Sequence, residues 1–308
     1  MGFLGKSLIS LDDFTLAEID HLLLTAQRMK NNRQDFAHVC DGKILATLFF
    51  EPSTRTKLSF ESAMLRMGGS VLGFGDPGSS STAKGESLAD TIRVISSYAD
   101  VAVIRHPKEG SAKLAAEYAT IPIVNGGDGG HQHPTQTLTD LLTILETKGS
   151  LHGHRIAFCG DLRFGRTVHS LISMLARYQI SEFVLISPLE LELPSTLQRR
   201  LLEKGVVLHK HRQLEEVIGD VDILYMTRIQ RERFFSEAEY QRLKDAYLLD
   251  ATKLRLAKPD LRVLHPLPRV NEISSEVDSD PRAIYFQQAA LGVYVRMALL
   301  ALQLGVIE

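Results

Sequence analysis

Ile44 to Phe50 (ILATLFF) is a short, unbroken apolar run. Too brief for a buried helix and without polar alternation, such a run is expected of a parallel strand covered on both faces. The period then changes: Phe60, Ala63, Met64 and Met67 recur on one helical face, Ser59, Glu61 and Arg66 fall on the others, and Gly68-Gly69 ends the pattern. A strand, a turn and a helix are predicted in that order, with Glu51-Pro52-Ser53-Thr54-Arg55-Thr56 as the turn.

This turn crowds Ser, Thr and Arg side chains around the start of a helix, where unpaired N–H groups and the positive end of the dipole favour an anion. It reads as a phosphate cradle without the usual glycines. A plain N-cap would also use Ser or Thr. An arginine between two threonines exceeds what a cap requires, so the anion site is the preferred reading.

Strand and helix patterns alternate through the rest of the chain. Helices are expected at 15–30, 86–98 and 111–118 and from Pro134 through Leu145, with strands at 70–74, 101–104 and 121–125. Near Lys148-Gly149 the pattern restarts: strands at 155–159, 183–186, 206–209, 221–226 and 262–264 alternate with helices at 168–178, 195–204, 213–219 and 236–245. A last helix, Gln287 to Leu304, offers Ala290, Val293, Met297, Leu300 and Leu304 as an apolar face for docking on a neighbour. This alternation is that of an α/β protein with parallel sheets.

At 308 residues, 44% hydrophobic and 23% charged, the chain is globular and long enough for two cores. Its net charge of -2 argues against nucleic acid or an anionic membrane as the main partner, so any cationic site must be local. Cys40 and Cys159 form no CxxC, which fits neither a disulfide framework nor a cysteine zinc site and suits a reducing cytoplasm. No apolar signal core opens the chain, and Lys6 stands where a myristoylation motif needs Ser or Thr. No apolar run reaches the roughly 18 residues of a membrane span.

In doubly wound sheets, ligands bind outside the carboxyl ends of the strands. Arg55, Arg105, Arg166 and Arg228 each follow such an end within a few residues, two in each half. Any one of them would pass as a solvated surface charge. Four like charges drawn toward one cleft repel unless anions offset them, so the substrates are expected to carry several negative charges. Ser53, Thr54, Thr56, His133, Gln136 and Gln230 add neutral donors suited to a carbonyl and to phosphate oxygens.

No Ser-His-Asp motif or spaced carboxylate pair stands out; Asp128 and Asp161 read as turn residues or arginine orienters. Catalysis by positioning and electrostatic stabilisation is therefore expected, without a protein nucleophile. The glycines of 126–130 are expected to let backbone approach a ligand, with His133 as N-cap of the helix that Pro134 opens. His131 and His133 have no third ligand nearby, so no metal is expected. Gly160 to Thr167 nearly matches a nucleotide P-loop, but Arg166 replaces its lysine and the three-glycine dinucleotide fingerprint is missing, so ATP and NAD fit poorly.

Phe50-Glu51-Pro52-Ser53-Thr54-Arg55-Thr56, Arg105-His106-Pro107, His133-Pro134-Thr135-Gln136 and His265-Pro266-Leu267-Pro268-Arg269 resemble the signatures of the carbamoyltransferases. Gly165-Arg166-Thr167-Val168-His169-Ser170 and Met226-Thr227-Arg228-Ile229-Gln230 look like those of the aspartate carbamoyltransferase catalytic chains. The resemblance runs from about residue 8 to the C-terminus.

The resemblance implies two doubly wound α/β domains, each with a mainly parallel sheet flanked by helices: a carbamoyl phosphate-binding domain over 1–135 plus 288–308 and an aspartate-binding domain over 136–287. The C-terminal helix returns to the first. The implied reaction passes the carbamoyl group of carbamoyl phosphate to L-aspartate, giving N-carbamoyl-L-aspartate and phosphate, a cytoplasmic step of de novo pyrimidine biosynthesis without metal or organic cofactor.

By the same resemblance Ser53, Thr54, Arg55, Thr56 and Arg105 hold the phosphate, and Thr56, Arg105 and His133 polarise the carbamoyl oxygen. Gln136 and the backbone of Pro266 and Leu267 receive the carbamoyl nitrogen. Arg166 takes the α-carboxylate of aspartate, and Arg228 with Gln230 its side-chain carboxylate. Ser80 and Lys84 come from the neighbouring chain of a homotrimer with shared active sites, although composition alone makes Lys84 a solvated loop charge. A separate regulatory chain in a larger complex is left open. Leu267-Pro268 is a candidate cis bond, and Ala83 departs from relatives that carry a second lysine there.

Ornithine carbamoyltransferase is the nearest rival, but its His-Cys-Leu-Pro and Ser-Met-Gly strings are replaced by His265-Pro266-Leu267-Pro268 and Ser173-Met174-Leu175, and Arg228 would repel a cationic side chain. A non-catalytic scaffold and a nucleotide hydrolase are the alternatives of other classes.

Overall fold

The run at 44–50 folds as strand β1 (Ile44–Phe49), buried at every position after Ile44. Its neighbours are β2 (Ser70–Phe74), β3 (Val101–His106) and β4 (Ile123–Asp128), all parallel, in the order β2-β1-β3-β4. This architecture comes from a computed structural model that describes residues 2–75, 85–130, 132–229, 236–243 and 247–307.

Alternate residues of the strands point to opposite faces. Ala46, Leu48, Phe50, Ala102, Ile104 and Ile123 form one core with Ile92 of α3 (Leu88–Ile95) and with Ala112 and Ala115 of α4 (Ser111–Tyr118). Helix α2 (Thr54–Arg66) brings buried Phe60, Ala63 and Met64 and packs on β1 and β2. Helix α1 (Leu16–Asn31) opens on a capping box between Thr15 and Glu18, which fixes its start where the sequence puts it.

A second sheet holds β5 (Ile156–Cys159), β6 (Glu182–Ile186), β7 (Val207–His211), β8 (Ile223–Met226) and β9 (Arg262–Leu264), all parallel, in the order β7-β6-β5-β8-β9. The period of two again sorts its core. Ala157, Cys159, Val184, Ile186, Leu224, Met226 and Val263 join one apolar cluster. Phe158, Phe183 and Tyr225 turn the other way, with ring centroids 5.9 Å and 5.6 Å from Phe158. The helices of this half are α6 (Arg166–Arg177), α7 (Ser195–Glu203), which packs on β7, α8 (Glu237–Leu243) and α9 (Ala251–Leu254).

The chain divides into two compact units, Met1–Leu142 with Ala290–Glu308 and Thr143–Ala289. Both divisions fall inside helices, α5 (Pro134–Lys148) and α10 (Tyr285–Leu304), so the last helix ends in the first unit. Among the described residues no helix is long and apolar enough to cross a membrane.

Several elements differ from the sequence reading. Ser87 caps α3 by accepting from Asp90 N, so that helix begins at Leu88, not Glu86. Residues 213–219 form only a 3-10 turn, Leu214–Glu216, and the four-residue α9, capped by Asp250, is too short to leave a periodic pattern. The last helix is not buried along a single face: Ala290 is exposed, and both Val295 and Leu299, off the expected stripe, are buried with Met297 and Leu300.

Phe158 is fully buried and touches aromatic rings from both neighbouring strands. Phe158→Ala is expected to destabilise the second unit by about 4 kcal/mol, read as a lowered urea midpoint with the first unit's transition unmoved.

Candidate active site

In a parallel sheet every carboxyl end lies on one edge, and a crevice opens where the strand order reverses. In the first unit the chain steps from β1 to β2 on one side and then crosses to β3 on the other, so the reversal lies between β1 and β3. The segment 51–56 leaves β1 at that point, and Arg105 stands on β3 opposite Phe49. Phe50 N donates to Arg105 O at 2.8 Å, which ties the start of the cradle to the strand carrying the arginine.

Ser53 occupies the N-cap position of α2 with φ -159° and ψ 90°, but its side chain makes no cap hydrogen bond. Capping therefore does not consume its hydroxyl, which favours the anion reading of this turn. Thr56 is buried, Ser53 is half-buried, and Thr54 and Arg55 are exposed. Arg105 Nε donates to Glu51 Oε1 at 2.7 Å, and its Nη1 donates to Gly126 O at 3.3 Å and faces His133 Nε2 at 3.5 Å. Burial pulls the guanidinium below its ordinary value, and Glu51 opposes the shift.

His133 is buried and precedes α5, its carbonyl accepting from Gln136 N at 3.0 Å. Gln136 Nε2 in turn donates to Asp140 Oδ1 at 2.7 Å. Asp128 accepts from Gly110 N and Asn125 Nδ2, the bonds of a turn residue. The glycine loop before His133 does not present open backbone as expected. Gly126-Gly127 lie within β4, which runs on to Asp128, and a Cβ on Gly129, at φ +53°, would fall 2.7 Å from Glu109. These glycines admit neighbouring protein.

The second unit repeats the device. Its chain runs β5, β6, β7 outward and returns to place β8 on the other side of β5, so the reversal lies between β5 and β8. Arg166 opens α6 after β5, and Arg228 follows β8 by two residues; both are half-buried. The two strand ends are held close. Gly160 has φ +118°, and a Cβ there would lie 2.3 Å from Thr227 O. Thr227 Oγ1 donates toward Cys159 O at 3.3 Å, and Asp161 Oδ1 accepts from Arg163 N and Phe164 N. Asp161 is thus a turn residue, as expected.

At the end of β9, the next strand along this edge, His265 organises the turn that follows. Its Nδ1 accepts from Leu267 N at 2.8 Å and its Nε2 donates to Glu272 Oε1 at 2.7 Å, with both side chains almost fully buried. Glu272 Oε2 also accepts from Val270 N and Asn271 N at 3.1 Å each. These bonds hold Leu267 at φ +53°, a conformation rare outside glycine, next to a cis Leu267-Pro268 peptide.

The structure thus gathers 53–56, Arg105, His133 and Gln136 in the first unit, and Arg166, Arg228, Pro266 and Leu267 along one sheet edge of the second. Ser80, Lys84, His131 and Gln230 lie outside the described residues. Sequence reasoning missed the carboxylates behind the donors: Glu51, Asp140 and Glu272. Only Asp140 left a usable signal, since a carboxylate four residues after Gln136 on a helix falls on the same face.

A model of the aspartate/ornithine carbamoyltransferase carbamoyl-P binding domain matches residues 6–146, and one of the Asp/Orn binding domain matches residues 152–303. The chain belongs to the aspartate/ornithine carbamoyltransferase family. Within that family it is 59% identical over 302 residues to the aspartate carbamoyltransferase catalytic subunit of Clostridium kluyveri, covering 98% of this chain and 99% of the relative. The corresponding subunit of Alkaliphilus metalliredigens is 60% identical, covering 100% of this chain and 99% of its own length. The Trypanosoma cruzi aspartate transcarbamoylase, solved in complex with carbamoyl phosphate and aspartate, superposes with a TM-score of 0.92 at 43% identity over 98% of each chain.

In this carbamoyltransferase, burial pulls His265 below the ordinary histidine value, with Glu272 opposing. The folded chain therefore takes up this proton less readily than the unfolded chain does. Stability from this group is full above about pH 6.5 and is lost as pH falls toward the folded value. His106 and His169, also lowered mainly by burial, act in the same sense. Urea unfolding is expected to show stability falling from about pH 7 to about pH 5, with a shallower fall in His265→Gln; an identical slope in the variant would remove His265 from the account.

Proposed function

We propose that this chain transfers the carbamoyl group of carbamoyl phosphate to the amine of L-aspartate, giving N-carbamoyl-L-aspartate and phosphate. The observation that carries this reading is the pair Arg166 and Arg228, set on adjacent strand ends at the reversal point of the second sheet. Two guanidinium groups suit a dicarboxylate and disfavour the cationic side chain of ornithine. The first unit is assigned to carbamoyl phosphate and the second to aspartate.

In this mechanism the N–H groups at the start of α2, with Ser53, Thr54, Arg55, Thr56 and Arg105, hold the phosphate. Thr56, Arg105 and His133 face the carbamoyl oxygen, and Gln136 and the backbone carbonyls of Pro266 and Leu267 take the N–H groups of the carbamoyl nitrogen. His133 turns its Nε2 toward Arg105 Nη1, 3.5 Å away, so Nε2 is the ring nitrogen on the side of the carbamoyl oxygen. The neutral ring offers one donor without adding charge. The unprotonated amine of aspartate, its carboxylates on Arg166, Arg228 and Gln230, attacks the carbamoyl carbon, and negative charge grows on the oxygen. The carbon–oxygen bond to phosphate then breaks, and the departing phosphate takes the amine proton. No step calls for a metal or an organic cofactor.

The assembly we propose is a cytoplasmic homotrimer serving de novo pyrimidine biosynthesis, with Ser80 and Lys84 completing the neighbouring chain's site. The word "subunit" in the relatives' names supports assembly. So does a pair of exposed apolar residues one heptad apart on α2, Leu58 and Leu65. Native gel filtration with mass analysis of any second chain tests whether the trimer also joins a separate regulatory chain.

A colour assay that separates carbamoyl aspartate from citrulline tests the reaction, and citrulline as product would refute it. Arg55→Ala is expected to lower kcat/KM for carbamoyl phosphate by about a hundredfold or more, and His133→Ala to lower kcat by about a hundredfold with the trimer intact. Arg228→Ala is expected chiefly to raise the KM for aspartate, at least about tenfold. Mixing inactive Lys84→Ala and Arg55→Ala chains restores part of the activity if sites are shared, because some hybrid trimers regain an intact site. No recovery would confine the loop to its own chain.

A further inference from the structure

Asp140 is a carboxylate that the proposed reaction does not use, yet it is fully buried on α5, one helical turn beyond Gln136. The 2.7 Å bond between them has a chemical consequence. A glutamine amide is nearly symmetric in shape, and in water either end can face a ligand. A carboxylate has only lone pairs to offer, so the NH2 end of Gln136 must face Asp140 and its Oε1 must face the opposite way. The amide is thereby presented as an acceptor.

The buried charge that does this is compensated from the last helix. Arg296 is buried, donates from Nη1 to Gly292 O at 2.7 Å and from Nη2 to Thr135 Oγ1 at 3.5 Å, and lies over the Phe60 ring at 5.0 Å. Burial pulls it down to about 10, still charged at neutral pH, and the Asp140 charge resists the shift. Gly292 makes room for it: a Cβ there would fall 2.6 Å from Arg296 Nη1. Helix α10 thus supplies the positive charge that lets a carboxylate persist behind Gln136 without drawing charge from the phosphate cradle.

We propose that Asp140 is a positioning residue that fixes the Gln136 amide with its oxygen toward the carbamoyl nitrogen, and so makes the site discriminate carbamoyl phosphate from acyl phosphates that lack an N–H. This rests on the carbamoyl-transfer reading above. An amide free to turn would spend part of its time offering NH2 to NH2, a donor against a donor. A methyl group in place of the carbamoyl NH2 makes no such demand, and the phosphate end is held by other residues.

The test uses the full-length enzyme with carbamoyl phosphate as substrate and acetyl phosphate and inorganic phosphate as competitive inhibitors. In Asp140→Ala, kcat/KM for carbamoyl phosphate is expected to fall about tenfold while both inhibition constants stay within about twofold of wild type. Asp140→Asn keeps the volume and can still offer an oxygen to Gln136, so its loss is expected to be smaller and in the same pattern, about threefold. This variant decides the matter if the alanine variant fails to fold. In a Gln136→Ala background, Asp140→Asn is expected to leave the ratio of carbamoyl to acetyl phosphate recognition unchanged. Equal weakening of all three phosphates would reduce Asp140 to a packing role and overturn the proposal, as would wild-type recognition of carbamoyl phosphate in the folded variants. Failure of the wild-type enzyme to form carbamoyl aspartate would instead sink the reading on which the proposal rests.

Discussion

Parallel pairing fixes where chemistry can happen in this chain. Because β1 to β4 all run one way, and β5 to β9 likewise, each sheet presents every carboxyl end on a single edge. Crossover helices leave to opposite faces on either side of the reversal, so the ends of β1 and β3, and of β5 and β8, stay open to a ligand. The cradle of 51–56 and Arg105 meet at the first of these, and Arg166 and Arg228 at the second. A donor borne on the strand itself, as Arg105 is, is held more firmly than one on a loop, at the cost of desolvating its charge.

That cost explains Glu51. Arg105 and Glu51 side chains are only 14% and 25% exposed, so a lone guanidinium there would be strongly disfavoured. The pair is weak evidence for stability, since breaking even against water is the usual outcome for such a bridge. What it does supply is orientation. With Nε committed to Glu51 and part of Nη1 to the Gly126 carbonyl, the guanidinium plane is fixed before any substrate arrives, so little rotamer entropy is lost on binding.

Much of this was legible in the sequence because it rests on local signals. The apolar run at 44–50, the period change after it and Pro134 at a helix start each report on neighbouring residues, and β1, α2 and α5 lie where those signals put them. Arginines near strand ends were legible by position alone. The glycines of 126–130 misled because a glycine that admits a ligand and one that admits Glu109 look identical in sequence. The last helix misled for a related reason: a stripe of apolar residues does not show that the intervening positions are covered too, and Val295 and Leu299, off the stripe, are fully buried. Glu51 and Arg105, which hydrogen-bond, and Asp140 and Arg296, whose charges interact, lie far apart in the chain, and no period connects them.

The carboxylates share a logic that follows from the charge of what is to be bound. An acid touching a phosphate or a dicarboxylate would repel it, yet clustered arginines with no acid nearby would repel one another whenever the site is empty. Setting each acid one residue back resolves both demands. Glu51 stands behind Arg105, Asp140 behind Gln136 and Glu272 behind His265, each accepting from a group whose other atoms are then aimed elsewhere. In each case the fixed acceptor also chooses a state for its partner: a guanidinium plane, an amide end, an imidazole tautomer. Of these, the amide end is the choice that sterics cannot make, because the two ends of Gln136 have nearly the same shape. Only an electrostatic partner separates them, and the buried carboxylate of Asp140, with the buried charge of Arg296 to sustain it, stands behind Gln136 as that partner.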